Sequence, residues 1–418
     1  MISNYIRRYN GSVRHISRVV NVILIALVLT LESGCTVSSN VDLIHKGYNI
    51  ELKTLIETRW AEYSQDKTDF NGGLAMRILS SRGDYYVSTG LDDDATGTIH
   101  FRAASTTKTF TASAILLLEQ QGKLRIDDRI ISNAPGTSSP YIPDSPEYSI
   151  PYKDQITIRQ LLEHRAGVFD VSNSAVPETV SADYADKVYV DYIKEDLGQI
   201  EHTFTTEELV GVVASHHLSY FDPGSGYHYS NTGYSMLGKI IERISGMDYA
   251  SFIKESLLKP NGLDDTTFPS DGNDRQIPLP YAKGYSLLDG ALYETTLDNM
   301  SAHVAEGNMI TTPDDLTRWI KLLYTGKACL EQQYVDMMTN VNPTGEEHGY
   351  YGLGTSYAEG LGYGHNGAHM GYMTVMSYDK ENDIAIVLFS SVLDFDDIYG
   401  EIQYMYGIAR SAKQILGY

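Results

Sequence analysis

Ser105-Thr106-Thr107-Lys108 places a hydroxyl and an amine three residues apart at the head of a stretch with a helical apolar pattern. On a helix that spacing sets both side chains on one face, about 5–6 Å apart at Cβ, so the lysine reaches the serine. Burial and the positive end of a helix both disfavour an ammonium, which would let Lys108 accept the serine's proton and make Ser105 a nucleophile. The same S-x-x-K spacing recurs at Ser64 with Lys67, in a polar stretch, and at Ser251 with Lys254, on an ordinary amphipathic pattern. Nothing else in the sequence recommends either of those pairs.

Two further groups carry chemistry. Tyr229-Ser230-Asn231 follows the turn signal Asp222-Pro223-Gly224. In an extended segment Tyr229 and Asn231 would face one cleft, a phenol to relay protons and a carboxamide to bond a substrate amide and the lysine. The alternative is that Asn231 caps a helix beginning at Thr232 while Tyr229 packs. His365-Asn366-Gly367 leads through Ala368 into a strand, where Gly367 would let a substrate backbone come close and the imidazole would add a donor or a positive charge. The overlapping G-x-G-x-x-G of residues 362–367 lacks the following helix of a dinucleotide site. His365 and His369 lack the glutamate and the helix of a zinc protease, so neither a metal nor another cofactor is expected. No G-x-S-x-G occurs, which counts against a nucleophile-elbow hydrolase. His164 reads as a structural or supporting residue rather than a base.

The elements that must position these groups are legible as patterns. Gly72–Ser80 and Tyr85–Ser88 flank Arg82-Gly83-Asp84 as strand, turn and strand, which explains that tripeptide better than an adhesion motif does. Thr106–Gln121 reads as a helix stopped by Gly122, and Thr232–Ser245 as one stopped by Gly246. Thr312-Pro313-Asp314-Asp315 starts another that runs to about Leu323. Tyr372–Tyr378 and Ile384–Ser390 are strands about a turn, and a last helix runs from about Ile398 to Leu416. Strands at both ends and helices between them predict an α/β fold whose sheet is built from both termini, with a helical insertion.

Composition bounds the rest. With 42% apolar and 21% charged residues the 418-residue chain is that of a globular protein. Its net charge of −22 repels phosphate backbones, so nucleic acid is excluded as a partner. Two cysteines, Cys35 and Cys329, allow at most one disulfide. The 32 tyrosines have no explanation from pattern beyond packing or a sugar-binding groove.

Arg7, Arg8, Arg14 and Arg18 precede the apolar run Val19–Leu31, which is too short to span a bilayer and suits an export signal over residues 1–35. Ser33-Gly34-Cys35 resembles the end of a bacterial lipoprotein cleavage box, although Glu32 stands where such boxes usually carry leucine. Lipidation of Cys35 is therefore an expectation alongside ordinary cleavage. A polar tether follows over 36–49. The expected location is the periplasmic or extracellular face, with the membrane engaged only through that lipid or an uncleaved anchor.

Taken in order, S-x-x-K, Y-x-N and H-x-G resemble the serine β-lactamase and penicillin-binding protein superfamily, within it the class C β-lactamase-related group of DD-carboxypeptidases, D-amino-acid peptidases and β-lactamase-like esterases. Lys108–Ala112, Leu161–Gly167, Pro223-Gly224 and Gly307–Leu316 support the likeness, which runs from about Ile50 to the C-terminus. It implies one domain over 50–418, an antiparallel sheet flanked by helices (about 50–104 and 325–418) beside a mostly helical part (about 105–324), with the site between them. It implies that Ser105 forms an acyl-enzyme with Lys108 as base and Tyr229 as proton shuttle, that Asn231, His365 and Gly367 bind substrate, and that the amides of Ser105 and Ala368 form an oxyanion hole. Class C β-lactamases carry Lys-Thr-Gly at the third motif. His365 there resembles DD-peptidases and D-aminopeptidases, so penicillins are expected to acylate and leave slowly.

Three functions follow as expectations. The first is an exported serine hydrolase for peptide bonds near D-amino acids, such as cell-wall peptides. The second is a β-lactamase-like esterase or weak β-lactamase acting on small molecules. The third is a non-catalytic penicillin- or peptidoglycan-binding protein.

Overall fold

Ile384–Ser390 is apolar at nearly every position and buried at every one, as a strand covered on both faces must be. In the computed structural model, which describes residues 36–65, 70–92, 94–345 and 349–418, this segment lies inside the main sheet. The expected export signal and Cys35 lie outside the described residues.

In chain order the strands are β1 (Leu74–Ser80), β2 (Gly83–Thr89), β3 (Phe101–Arg102), β4 (Tyr285–Leu288), β5 (Ala291–Glu294) and β6 (Ile310–Thr311). Then come β7 (Asn342–Pro343), β8 (Tyr350–Tyr351), β9 (Ser356–Ala358), β10 (Gly362–His369), β11 (Tyr372–Asp379), β12 (Ile384–Ser390) and β13 (Val392–Asp394). The main sheet runs β2-β1-β12-β11-β10-β9-β8-β7. Its strands are antiparallel, with Leu74 opposite Ser390 and Met373 opposite the same residue from the other side. The two ends of the chain thus meet at the β1–β12 pair, and the fold is α/β with an antiparallel sheet.

Alternation splits β12 between two cores. Ile384, Ile386 and Leu388 join Leu52, Ile56, Met405 and Ile408 of the helices Thr36–Ser64 and Ile398–Ile415, which cover one face. Val387 and Phe389 face the larger core, where Phe389 stacks on Phe101 with ring centroids 4.2 Å apart.

The helix Thr107–Gln120 is buried from Thr107 through Leu118. It is gripped from the side by the helix Pro313–Tyr324: Trp319 stacks on Phe110 at 4.1 Å, and its indole N–H donates to Thr109 Oγ1 at 3.0 Å. Thr312 caps that second helix by accepting from the Asp315 amide at 3.2 Å.

Two local differences from the sequence pattern appear. Residues 36–49, expected as a polar tether, belong to the helix Thr36–Ser64. The central region is not purely helical, because β4 and β5 form a small sheet there with β13. Residues Leu74–Ser80, Ile384–Ser390 and Ile398–Ile415 otherwise fall within two residues of the bounds their patterns suggest.

Trp319→Ala would open a cavity against the helix that carries Ser105 and leave Thr109 without its donor. The expected loss is about 3–5 kcal/mol of stability in chemical denaturation; an unchanged midpoint would contradict this packing account.

Candidate active site

Ser105 enters the site from a strained turn. Ala104 has φ +49°, a left-handed conformation that a residue with Cβ rarely adopts, and Ala104–Thr106 forms a single 3-10 turn before the helix begins at Thr107. Thr107 Oγ1 ties the turn down by donating to Ala104 O at 2.7 Å. Lys108, one helical turn on, is fully buried, and its Nζ lies 3.3 Å from Ser105 Oγ.

Lys108 is surrounded by acceptors. Nζ donates to Asn231 Oδ1 at 2.8 Å and to Glu306 O at 2.7 Å, and the Glu306 carboxylate is 3.4 Å away. The rings of Tyr229 and Tyr234 lie 4.7 and 5.3 Å from the nitrogen. Burial pulls the Lys108 pKa down to about 8, against the opposing pull of Glu306 and Asp170. A value so near neutrality is what a proton acceptor for a serine needs.

The second motif is placed by a helix start. Ser230, not Asn231, is the cap: its hydroxyl accepts from the Gly233 amide at 3.2 Å, and Asn231 is the first residue of the helix Asn231–Ser245. The Asn231 side chain is therefore free to bridge Lys108 and Ser172 Oγ, the latter at 3.1 Å. Asp170, buried, holds the same corner by accepting from the Asn231 amide at 3.1 Å and from the hydroxyl of Ser172 at 2.8 Å. The Tyr229 hydroxyl is buried and makes no well-formed hydrogen bond among the described residues; Ser105 is the hydroxyl that faces it. Burial raises its pKa well above that of a free phenol, so it is protonated in the resting site.

His164 supports Tyr229 from behind. The two rings are 4.1 Å apart, and His164 Nδ1 accepts from the Ser230 amide at 3.1 Å. Tyr234 and Tyr351 also pack on His164, at 4.9 and 4.8 Å. Part of the chain's large tyrosine complement is thus spent on one aromatic wall.

The third motif lies on β10. A Cβ on Gly367 would stand 2.4 Å from Ala103 O and 3.0 Å from Ser105 N, so only glycine lets β10 close on the serine turn. Gly367 thus meets the Ser105 amide, and Ala368, whose amide is expected to share an oxyanion with it, is the next residue along β10. His365 differs from its expected role as a charged or donating group. It is buried, Nδ1 donates to Asn366 O, and Nε2 accepts from Tyr351 O–H at 2.9 Å. Burial lowers its pKa to about 3, so it is neutral and both nitrogens are used within the protein. Asn366 turns to the other side of the sheet, toward Tyr406 at 3.4 Å.

The decoys separate cleanly. Lys254 is exposed, in contrast to Lys108. Residues 362–367 form a strand with no helix after it. Lys67 lies outside the described residues.

Comparison with known proteins decides the relationship. The Beta-lactamase family model matches residues 87–403. The chain belongs to the Beta-lactamase family. Within reach of it, penicillin-binding protein 4* of Bacillus subtilis (strain 168) is 28% identical over 390 residues, 87% of this chain and 75% of that protein. A D-stereospecific amidohydrolase from Streptomyces sp. shares the fold with a TM-score of 0.69 at 23% identity, over 85% of this chain and 96% of the other. A D-amino acid amidase from Ochrobactrum anthropi SV3, complexed with D-phenylalanine, gives 0.70 at 22% identity over 88% and 99%. This Beta-lactamase-family member is a serine hydrolase by family and by the disposition of its Ser-Lys-Tyr cluster.

Four groups at the site were not singled out by pattern: Glu306, His303, Asp170 and Tyr351. Glu306 immediately precedes the Gly307–Leu316 segment and Asp170 follows Leu161–Gly167, so nearness to matched segments was the available signal.

Gly367→Ala forces β10 away from the Ser105 turn. Acylation of Ser105 by a fluorescent penicillin or phosphonate is expected to slow by about 10²–10³-fold, the scale of losing one oxyanion donor; a wild-type rate would show that the close approach is unimportant.

Proposed function

We propose that this chain hydrolyses amide bonds adjacent to D-amino acids through an acyl-enzyme on Ser105. The observation that carries the reading is Lys108, fully buried, with Nζ 3.3 Å from Ser105 Oγ and its pKa drawn down to about 8. Neutral Lys108 takes the serine proton as Oγ attacks the carbonyl carbon. The carbonyl oxygen gathers charge against the amides of Ser105 and Ala368. Protonated Tyr229, beside both Lys108 and Ser105, passes a proton to the departing amine as the C–N bond breaks. Water then attacks the ester, with the same groups working in reverse.

The D-amino-acid direction is supported by the activities of the structural neighbours, a D-stereospecific amidohydrolase and a D-amino acid amidase. It is supported also by the state of His365. A neutral, internally bonded imidazole at the third motif supplies no positive charge for the carboxylate that penicillins and C-terminal D-alanine carry. That favours amides and peptide amides, and makes turnover of β-lactams slow. Cell-wall peptides are the natural source of D-residues for an exported enzyme, and export rests on the sequence pattern of residues 1–35. No helix among the described residues is long and apolar enough to cross a membrane.

The test is hydrolysis of matched D- and L-amino-acid amides by wild type, Ser105→Ala and Tyr229→Phe. Wild type is expected to prefer the D-amide, Ser105→Ala to fall to background, and Tyr229→Phe to lose about 10²–10⁴-fold. Undiminished activity in Ser105→Ala would remove the proposed nucleophile. Absence of turnover and of any covalent adduct in folded wild type would leave a binding protein on a hydrolase fold.

A further inference from the structure

We infer that Glu306 is a positioning residue that sets the proton affinity of Lys108, and that His303 holds part of the Glu306 charge away from the lysine. This inference rests on the reading of Lys108 as the base for Ser105.

Glu306 is only 2% exposed, and its two carboxylate oxygens are divided. Oε2 lies 3.4 Å from Lys108 Nζ, and Oε1 accepts from His303 Nδ1 at 2.6 Å. A lysine ammonium has three N–H groups. Two of them have short acceptors, Asn231 Oδ1 at 2.8 Å and Glu306 O at 2.7 Å. The third is shared between Ser105 Oγ at 3.3 Å and Glu306 Oε2 at 3.4 Å. The nucleophile and the carboxylate therefore compete for one proton site on the base.

The carboxylate is not needed to build this corner. The backbone oxygen of any residue at position 306 could accept from Lys108, and burying a carboxylate is costly unless the ion pair repays it. A buried charge placed on a base of perturbed proton affinity is better explained by tuning than by stability. Burial pushes the Glu306 carboxyl up, but His303 and Lys108 together hold it below the usual carboxylate range, so it is charged when the site works.

The other groups facing the pair are accounted for. Tyr229 and Tyr234 present ring faces to Nζ and stay protonated, their pKa values raised by burial. His164 and His365 are neutral, lowered by burial and by Lys108. Asp170 makes no hydrogen bond to Lys108: it accepts from the Asn231 backbone amide at 3.1 Å, and its charge favours the ammonium from that greater distance. On the far side of Glu306, Tyr249 bonds Thr111 at 2.8 Å, and the His303 ring stands 4.9 Å from His369. His369 is bonded to Asp298 at 2.8 Å, and Asp298 is paired with Lys194 at 2.6 Å. Glu306 is thus the carboxylate in direct contact with the base, and His303 is the group that bonds its other oxygen.

The test is the pH dependence of Ser105 acylation by an activated phosphonate, followed by intact mass, in wild type, Glu306→Gln, His303→Ala and the double variant. In wild type the rate should rise with pH through Lys108's pKa. Glu306→Gln removes a negative charge beside the ammonium, so the protonated form is less favoured and the limb moves to lower pH, by about 1–3 units. His303→Ala releases Oε1, gives Lys108 more of the carboxylate, and moves the limb to higher pH. In the double variant the limb should coincide with that of Glu306→Gln, because His303 acts only through Glu306. Unmoved limbs in both single variants overturn the inference while leaving the nucleophile intact. If Glu306→Gln does not fold, His303, whose side chain is 12% exposed, decides alone: an alkaline shift supports the inference and an unmoved limb overturns it. Wild type that is acylated at no pH overturns the underlying reading and this inference with it.

Discussion

The site depends on one constraint: an amine held entirely out of water. Lys108 is 0% exposed, and that burial is the largest influence on its proton affinity. Left alone, desolvation would make it a poor cation; surrounded only by acceptors, it would make a poor base. The observed balance sets apolar and aromatic walls against two short acceptors and one divided carboxylate, and it lands near neutrality. Nearly every other feature of the region can be read as a means of keeping that nitrogen in place.

Three separate parts of the chain supply the fixings. The helix Thr107–Gln120 carries the lysine, and Trp319 locks the helix from the side. The helix Asn231–Ser245 brings Asn231 to it, with Asp170 and Ser230 fastening the first turn. The strand β10 closes the opening, because Gly367 has no Cβ to hold it off Ala103. Gly354 also packs closely on the lysine's helix; a Cβ there would stand 2.5 Å from Ala112 Cβ and 2.8 Å from Lys108 O. The main sheet, joined at β1 and β12, supplies the rigid surface from which β10 reaches the site. Placing the site on such elements rather than on long loops is what keeps contacts of 2.7–3.3 Å reproducible.

Local order was legible where one residue's neighbours in sequence are also its neighbours in space. Ser105 and Lys108 could be paired because three positions on a helix are adjacent, and Ile384–Ser390 could be read as strand because its burial follows its own composition. Glu306, His303 and Asp170 were not legible, since nothing in a carboxylate's local sequence says which distant amine it will meet. His365 shows a different failure. Its type and spacing suggested charge, but its charge state is decided by burial and by Lys108, and its Nε2 is occupied by Tyr351, 14 positions away, which no motif contains. Residues 36–49 look like a tether by polarity, yet they extend a helix that Leu52 and Ile56 anchor to the sheet, and propagation from a packed turn needs little further driving force.

The central claim is that burial makes Lys108 a base near neutral pH. It is tested most directly by an NMR titration of the Lys108 side chain in wild-type protein, assigned against Lys108→Arg. A midpoint near 8 is the predicted result. A midpoint near that of a free lysine, about 10.4, would contradict the account and require another proton acceptor for Ser105.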